Sequence, residues 1–140
     1  MIDDVLISDL SVIDTLGGSV MHGIKKSSKG YVDFGEAYFS EIQCNSIKAW
    51  KRHKKMTLNI VVPIGKIRFV LFDDRDLKAT QFQEVILSRE NYCRLTVPPL
   101  VWLGFQGFSS KGSILLNLAD IEHDPNEVDR IDFDKINYNW

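Results

Sequence analysis

The chain has 140 residues, of which 44% are hydrophobic and 26% are charged, and its formal net charge is −2. These values are typical of one globular domain, and the weakly acidic charge gives no electrostatic reason to expect nucleic acid or an anionic membrane as a partner. No apolar run reaches the roughly 18–20 residues that a membrane span needs, so we predict a single domain over residues 1–140 that binds neither nucleic acid nor a membrane.

Cellular location is predicted from the start of the chain and from its cysteines. Residues 1–4 (MIDD) are acidic and do not have the basic region and apolar stretch of a signal peptide. Cys44 and Cys93 lie far apart and form no Cys-x-x-Cys pattern, which favours free thiols in a reducing compartment. We therefore expect a cytoplasmic protein.

Short runs rich in Val, Ile, Phe, Tyr and Leu alternate with glycines, which is typical of the strands of a sandwich or barrel. Residues 56–62 and 67–72 are two such runs, and because Pro and Gly lie between them we predict a β-hairpin. Residues 82–87 and 93–97 alternate apolar and polar side chains, as half-buried strands do, and 113–119 is apolar enough for a buried strand.

The end of the chain gives the only sign of helix. Pro125 and the acids around it favour one helical turn within 124–130. The aromatic Trp140 at the terminus favours a docked tail. The elements together predict an all-β fold with little helix.

The densest polar cluster is residues 48–55 (KAWKRHKK). If 47–53 is a strand, the side chains of 47, 49, 51 and 53 share one face, and those of 48, 50 and 52 share the other. Lys51 and His53 then lie side by side. Inside a barrel they would form an anion site, or an acid/base pair in which the lysine lowers the pKa of the histidine. The alternative is a solvated edge or loop, as most charge runs are.

Other kinds of site have weaker support. His22, His53 and His123 are isolated in the sequence, and a metal site of β-barrel type needs two or three His plus a carboxylate. No nucleophile motif or phosphate-binding loop is present, so we expect neither a metal nor a cofactor. Trp50 and Trp102 have polar neighbours; they either stack on the rings of a sugar or nucleotide or pack in the core or its rim.

Six segments follow one another in an order that is found elsewhere. They are 35–40 (GEAYFS), 47–54 (IKAWKRHK), 65–75 (GKIRFVLFDDR), 87–92 (LSRENY), 97–105 (VPPLVWLGF) and 124–140. This order resembles the dTDP-4-dehydrorhamnose 3,5-epimerase family and its cupin relatives. In that family an Arg/Lys-Gly-x-His strand precedes a Gly-x-Val segment, a Leu-Ser-x-x-Asn turn, a Pro-x-Gly-x-x-His-Gly-Phe strand and an Asp-rich end with Trp. The resemblance covers about residues 35–140.

The resemblance implies a cupin or jelly-roll fold, which is a double-sheet antiparallel barrel, and a homodimer made by strand exchange. It also implies epimerisation beside the ketone of a nucleotide-linked 4-keto-6-deoxy sugar. In the family, a His base oriented by an Asp removes the proton next to the C4 ketone, an enolate forms, and a Tyr on the opposite face returns the proton. This chemistry needs a base with a pKa near neutrality and a group that stabilises the enolate oxygen.

The chain departs from the family at the catalytic positions. Lys51 stands at the position of the base His, Leu103 at that of the second His, Asn117 near that of the Tyr, and Lys48 at that of the anchoring Arg. His53 lies two positions after Lys51. We predict His53 as the proton-transfer group, because an unperturbed His titrates near 6.5 whereas Lys titrates near 10.4. Lys51 then holds the ketone oxygen or a phosphate.

The predicted catalytic residues are therefore His53 and Lys51. The predicted substrate-binding residues are Lys48, Asn59, Trp102, Gln106, Asn117 and His123, whereas Trp50 has the opposite parity and should pack outside the barrel. Two functions remain open. One is a sugar-nucleotide 3,5-epimerase or isomerase for an NDP-4-keto-6-deoxyhexose, in the deoxysugar biosynthesis of a surface polysaccharide such as lipopolysaccharide. The other is a non-catalytic cupin relative that binds a sugar nucleotide or a partner enzyme of the same pathway.

Overall fold

The computed structural model describes residues 1–140. Nearly all of its regular structure is β-strand, with two single 3₁₀ turns at Pro125–Glu127 and Phe133–Lys135. The strands are β1 (Leu6–Asp9), β2 (Val12–Thr15), β3 (Gly18–Met21), β4 (Glu36–Ile42), β5 (Ile47–His53), β6 (Leu58–Ile64), β7 (Lys66–Asp73), β8 (Gln81–Ser88), β9 (Cys93–Val97), β10 (Trp102–Gly107), β11 (Ser113–Ala119) and β12 (Val128–Arg130). Neither of these short helical turns could span a membrane.

The strands form two five-stranded sheets and one small hairpin of β2 and β3. The first sheet has the order β1-β9-β6-β11-β4, and the second has the order β12-β5-β10-β7-β8. All neighbouring strands are antiparallel. The predicted all-β, double-sheet antiparallel fold with little helix is confirmed.

The core lies between the two sheets. It is a cluster of 19 buried residues, to which β6 contributes Leu58, Ile60 and Val62 and β7 contributes Phe69 and Leu71. Side chains alternate between the two faces of a strand, so each sheet presents one apolar face to the other. The large apolar area removed from water is the main stabilising contribution to this fold.

The predicted hairpin between 56–62 and 67–72 is wrong. Both segments are strands, but β6 lies in the first sheet and β7 in the second, so the chain changes sheets between them. Gly65 forms this corner with a φ of +82°. A residue with a side chain would adopt this φ only at a cost in free energy. β7 pairs instead with β8, from Lys66 opposite Ser88 to Asp73 opposite Gln81.

A β-bulge in β5 changes the predicted parity of this strand. Leu103 of β10 lies opposite Lys51 and Phe105 lies opposite Lys48, so two residues of β5 face the single Gly104. Ala49 and Trp50 both pack on the outer face. A bulge of one residue shifts the alternation by one position, and Lys48 therefore shares the inner face with Lys51, contrary to the simple alternation.

The C-terminal tail docks on the outer face of the second sheet, as predicted. Trp140 lies 5.1 Å from Trp50, ring centroid to ring centroid, and Tyr138 lies 6.2 Å from Trp50. The indole Nε1 of Trp50 donates to the carbonyl of Phe133 at 3.1 Å, so the Trp50 side chain packs outside the sandwich core. A Cβ on Gly104 would lie 2.6 Å from the Trp140 ring, which explains the glycine at this position.

Candidate functional site

A cavity of about 520 Å³ opens between the two sheets, near β4 and β5. One wall is the inner face of the first sheet and the other is the inner face of the second. Arg130 at the end of β12 and the next two residues, Ile131 and Asp132, form part of the rim. The polar lining residues are Tyr38, Ser40, Lys48, Lys51, Asn117, Arg130 and Asp132, and the apolar ones include Leu58, Ile60, Leu103, Phe105 and Leu115. An apolar cleft with a few convergent polar groups is typical of a small-molecule site.

His53 lies two positions after Lys51 on β5 and is 5% exposed. Its Nδ1 forms a short hydrogen bond with Oε1 of Glu127, which ends the 3₁₀ turn before β12. β12 then pairs with β5, placing Val128 opposite His53. The Nε2 of His53 is buried and has no partner in the protein. A neutral imidazole that donates from Nδ1 therefore keeps the Nε2 lone pair free.

Glu127 is held as a carboxylate by the backbone that follows His53. Its Oε2 accepts the N–H groups of Lys54, Lys55 and Met56 at 3.2, 3.1 and 3.2 Å. Burial acts to raise the pKa of Glu127, but the hydrogen bonds from His53 and from the backbone of Lys55 and Met56 outweigh it and lower the pKa. The ionised Glu127 thus fixes the orientation and the tautomer of His53.

Burial is the main cause that lowers the pKa of His53 below its usual 6.5, and the positive charges of Lys51 and Arg130 add to this effect. The hydrogen bond that His53 donates to Glu127 acts in the opposite direction without cancelling it. His53 is therefore neutral at neutral pH, which is the form that a general base requires.

Lys51 and Arg130 form a pair of cations on neighbouring strands. They are directly opposite each other in the β5–β12 register, and both line the cavity. Neither has a salt-bridge partner in the protein. Burial and the charge of Arg130 lower the pKa of Lys51. Two unpaired cations at a cavity favour an anionic ligand or a developing negative charge.

Tyr38 and Asn117 face these cations from the first sheet, where they are register partners on β4 and β11. Burial raises the pKa of Tyr38, a weak hydrogen-bonding interaction with the Asn117 side chain acts against this, and the charge of Glu36 adds a smaller increase. The phenol is therefore protonated at neutral pH and can donate a proton. Asn117 is 1% exposed, and neither polar atom of its amide has a hydrogen-bond partner at normal length.

The structure brings several of the sequence-predicted site residues together. Lys48, Lys51 and Asn117 line the cavity. His53 does not line it directly, but it lies two positions after Lys51 on β5, close enough to Lys51 and Arg130 for their charges to lower its pKa. The Nζ of Lys48 lies 2.6 Å from the carbonyl oxygen of Glu41, near the mouth of the cavity. These residues come from β5 and β11, which belong to opposite sheets.

Four other predicted residues lie outside the cavity, and their prediction as cavity residues is corrected. Asn59 faces away from the core on β6, where it bonds to Gly30 and Thr96. The indole of Trp102 lies on the outer face and donates to Asp74 at 3.1 Å. Because side chains alternate between the two faces of β6 and β10, those of Asn59 and Trp102 lie on the face opposite to the core. Gln106, on the outer parity of β10, accepts a hydrogen bond from Arg68 at 2.7 Å, and His123 is exposed in the loop after β11.

Three residues of this site were missed from the sequence. Tyr38 lies on β4, whose alternating pattern could have placed it with Ser40 on an inner face. Glu127 lies in the acidic turn after Pro125, which was recognised as a turn but not as the partner of His53. Arg130 follows in β12, a strand of three residues that is too short to recognise in the sequence.

The chain is similar to solved structures of sugar-nucleotide enzymes. It is 36% identical to a dTDP sugar isomerase from Desulfovibrio desulfuricans G20, with a TM-score of 0.91 over 99% of this chain and 91% of that one. It shares the fold of the sugar 3,4-ketoisomerase QdtA from Thermoanaerobacterium thermosaccharolyticum in complex with TDP, at 20% identity and a TM-score of 0.79 over 96% and 93% of the two chains.

A third structure with this fold is the dTDP-6-deoxy-D-glucose-3,5-epimerase RmlC from Legionella pneumophila Philadelphia 1, at 20% identity and a TM-score of 0.82 over 94% of this chain and 74% of that one. The cupin fold expected from the sequence resemblance is thereby confirmed. No protein-family model matches the chain, and neither does any curated protein.

Proposed function

The chain belongs to the family of dTDP-sugar isomerases, and from this premise we propose that it isomerises a nucleotide-linked 4-keto-6-deoxyhexose in deoxysugar biosynthesis. The reaction moves a proton between two neighbouring carbons of the sugar. The observation that supports this most strongly is the His53–Glu127 pair, with its buried and unpartnered Nε2, beside a cavity that contains two unpaired cations.

The first step is removal of the C3 proton, which is acidified by the neighbouring C4 ketone. His53 Nε2 takes this proton, and the electron pair of the C3–H bond forms the C3=C4 double bond while the ketone oxygen O4 becomes negative. Lys51 stabilises this negative charge. Preorganised cations in a site that excludes water are an effective means of lowering such a barrier.

The second step completes an isomerisation without any other reactant. Tyr38 donates a proton to O4, His53 returns its proton to C4, and the proton of the O3 hydroxyl passes back to Tyr38 as O3 becomes the new ketone. One proton has then moved from C3 to C4 and one from O3 to O4. One base that takes the proton from C3 and returns it to C4 suffices for this reaction. His53 is the only histidine that the fold places beside the cavity.

Epimerisation at C3 would follow from the same enolate if a proton returned to C3 from the opposite face. Tyr38 lies on the sheet opposite to His53, so this outcome has a donor. We favour isomerisation because the relative at 36% identity is a sugar isomerase.

We propose that the diphosphate of the substrate binds at the cationic mouth of the cavity. A nucleoside diphosphate linked to a sugar has about two negative charges at neutral pH, and Lys48 and Arg130 are exposed at the rim. Thymidine is the proposed nucleoside, because the relative from Desulfovibrio is a dTDP sugar isomerase. The Trp-rich outer face is excluded as the ligand site, because Trp50 and Trp102 are buried there in one cluster with Ile136 of the tail.

The product tests this proposal. The protein is incubated with TDP-4-keto-6-deoxyglucose, and the sugar is followed by ¹³C NMR. We expect the ketone signal to move from C4 to C3. A 4-keto product inverted at C3 or C5 would instead establish the epimerase, and unchanged substrate that nevertheless binds would establish the non-catalytic relative. His53→Asn, which should give no product at any time point, is the control for contaminating enzymes.

A further inference from the structure

We infer that Asn117 recognises the reacting part of the sugar, an α-hydroxyketone, by binding its hydroxyl and its ketone oxygen together. This inference rests on the proposed function and deepens it by naming the chemical group of the substrate that this wall of the cavity binds. Asn117 lies in the middle of β11, between Tyr38 on β4 and Ile60 on β6. It lines the cavity and is 1% exposed.

The amide of Asn117 is buried, and neither of its polar atoms has a hydrogen-bond partner at normal length. The Tyr38 hydroxyl is close enough for Asn117 to lower its pKa, but only through a longer and weaker interaction. An unpartnered buried amide destabilises a folded protein, and Asn has a low preference for strand interiors. The other buried Asn of this sheet shows the usual solution, because Asn59 donates to the Gly30 carbonyl at 3.1 Å and accepts from Thr96 at 2.8 Å. An apolar side chain would suit position 117 better unless a ligand supplies the missing partners.

The two free atoms define the chemistry of that ligand. Oδ1 needs a hydrogen-bond donor and Nδ2 needs an acceptor. A phosphate offers acceptors only, so it would leave Oδ1 unpartnered. A hydroxyl next to a ketone offers one donor and one acceptor on neighbouring atoms. After the isomerisation the hydroxyl and ketone have exchanged places, and the amide can match the product by a half-turn about its Cβ–Cγ bond.

The position of Asn117 relative to the other groups fits this role. It lies in the wall opposite Lys51 and Leu103, and Nε2 of His53, two positions after Lys51 on β5, is also buried and unpartnered. A sugar whose two oxygens bind Asn117 would place the carbons between them in the space between the sheets, where β5 presents Lys51 and His53. Asn117 thus acts as a specificity-determining residue rather than as a proton donor.

The test compares a ligand that carries the hydroxyketone with one that lacks it. The dissociation constants of TDP and of TDP-4-keto-6-deoxyglucose are measured by calorimetry for the wild type, Asn117→Leu and Asn117→Ala, with the thermal midpoint of each free protein. We expect Asn117→Leu to raise the midpoint of the free protein, because it removes the unpartnered amide. The same substitution should raise the dissociation constant of the sugar nucleotide at least about tenfold, while that of TDP should change by less than about twofold. Gln106→Met, on the outer face, should change neither constant.

The inference is overturned if the ratio of the two dissociation constants is the same in both Asn117 variants as in the wild type. A fall in the thermal midpoint of Asn117→Leu would also count against it, because it would show that the amide is satisfied in the free protein. The proposed function fails in a different way, namely when wild-type protein binds the sugar nucleotide with the expected preference over TDP but produces no change in it.

Discussion

Glu127 accepts the Nδ1 hydrogen of His53 across 74 positions of sequence, and its other oxygen accepts the N–H groups of the three residues that follow His53. The carboxylate therefore fixes both the imidazole and the turn after β5. Because the same backbone groups keep Glu127 ionised, the imidazole has one tautomer, with its lone pair at Nε2.

Glu127→Gln should abolish most of the activity and leave nucleotide binding intact. The Gln amide can present its N–H to Nδ1, which would favour the tautomer with hydrogen on Nε2 and remove the base. We expect kcat to fall by about 10²–10⁴-fold, measured by NMR with TDP-4-keto-6-deoxyglucose. The dissociation constant of TDP should stay within about twofold of the wild-type value. A variant with near wild-type kcat would mean that Glu127 has only a structural role.

The pH dependence of kcat/KM should have an acid limb below pH 6.5. A general base must be unprotonated, and the folded protein lowers the pKa of His53 from 6.5 through burial and the charge of Lys51. The rate should therefore remain constant as the pH falls from 7 towards 6.5 and decline only below that value. An acid limb centred above pH 6.5 would contradict the assignment of His53 as the free base.

His53 also makes stability depend on pH in a defined window. Between its lowered folded pKa and 6.5, the unfolded chain binds a proton that the folded chain does not, so the free energy of unfolding rises with pH in this range. This contribution is complete above pH 6.5 and is lost as the pH falls through the folded pKa. Urea unfolding of the wild type should show this slope, and His53→Asn should lose it; equal slopes would exclude a lowered pKa.

Lys51→Met should reduce turnover more than it reduces binding. The substituted side chain keeps much of the volume of the lysine but cannot stabilise the enolate oxygen, so we expect kcat to fall by about 10²-fold. Lys66→Met removes the same charge from an exposed position outside the cavity and is the matched control. If both variants behave alike in steady-state kinetics, the effect is one of net charge and not of the site.

Gly104→Ala should destabilise the docked tail. A Cβ at this position would lie 2.6 Å from the Trp140 ring and 2.7 Å from the Cβ of Ala49. We expect a loss of about 1–3 kcal/mol in the free energy of unfolding, measured with urea. Gly18→Ala, where a Cβ meets nothing within 4 Å, is the control and should change stability little. Equal effects would show that Trp140 is not packed against β10.

The homodimer stays a prediction, and the β2–β3 hairpin gives it structural support. Ile13 and Val20 pair across this hairpin and are 48% and 50% exposed, and Leu16 at its tip is fully exposed. Apolar side chains on an unsupported hairpin suggest a partner surface. Sedimentation equilibrium should give about twice the 16.0 kDa of one chain, and a stable monomer at micromolar concentration would exclude the dimer.

The local sequence pattern was sufficient to predict much of the fold. Residues 47–53, 93–97 and 113–119 are strands with the predicted bounds, because alternation and apolar content are local properties. The partner of each strand is not local, and this is why 56–72 was predicted as a hairpin. Both runs are strands, but the chain turns the corner at Gly65 into the other sheet.

The candidate site was predicted only where it depends on one strand. Lys51 and His53 share a face because the alternation between them is regular. Lys48 joins them through a bulge that no sequence period shows. Glu127 reaches His53 only because β12 returns to pair with β5, and a contact over that distance in sequence depends on the whole topology.

In the proposed reaction His53 removes a proton from the carbon next to the ketone, and solvent exchange tests this step most directly. Wild-type protein and His53→Asn are each incubated with TDP-4-keto-6-deoxyglucose in deuterated water, and the C3 proton is followed by ¹H NMR. We predict that the wild type replaces this proton or moves it to C4 with partial deuteration, and that His53→Asn binds the nucleotide but leaves the C3 proton in place. Undiminished exchange in His53→Asn, or none in a wild type that binds the substrate, would contradict the account.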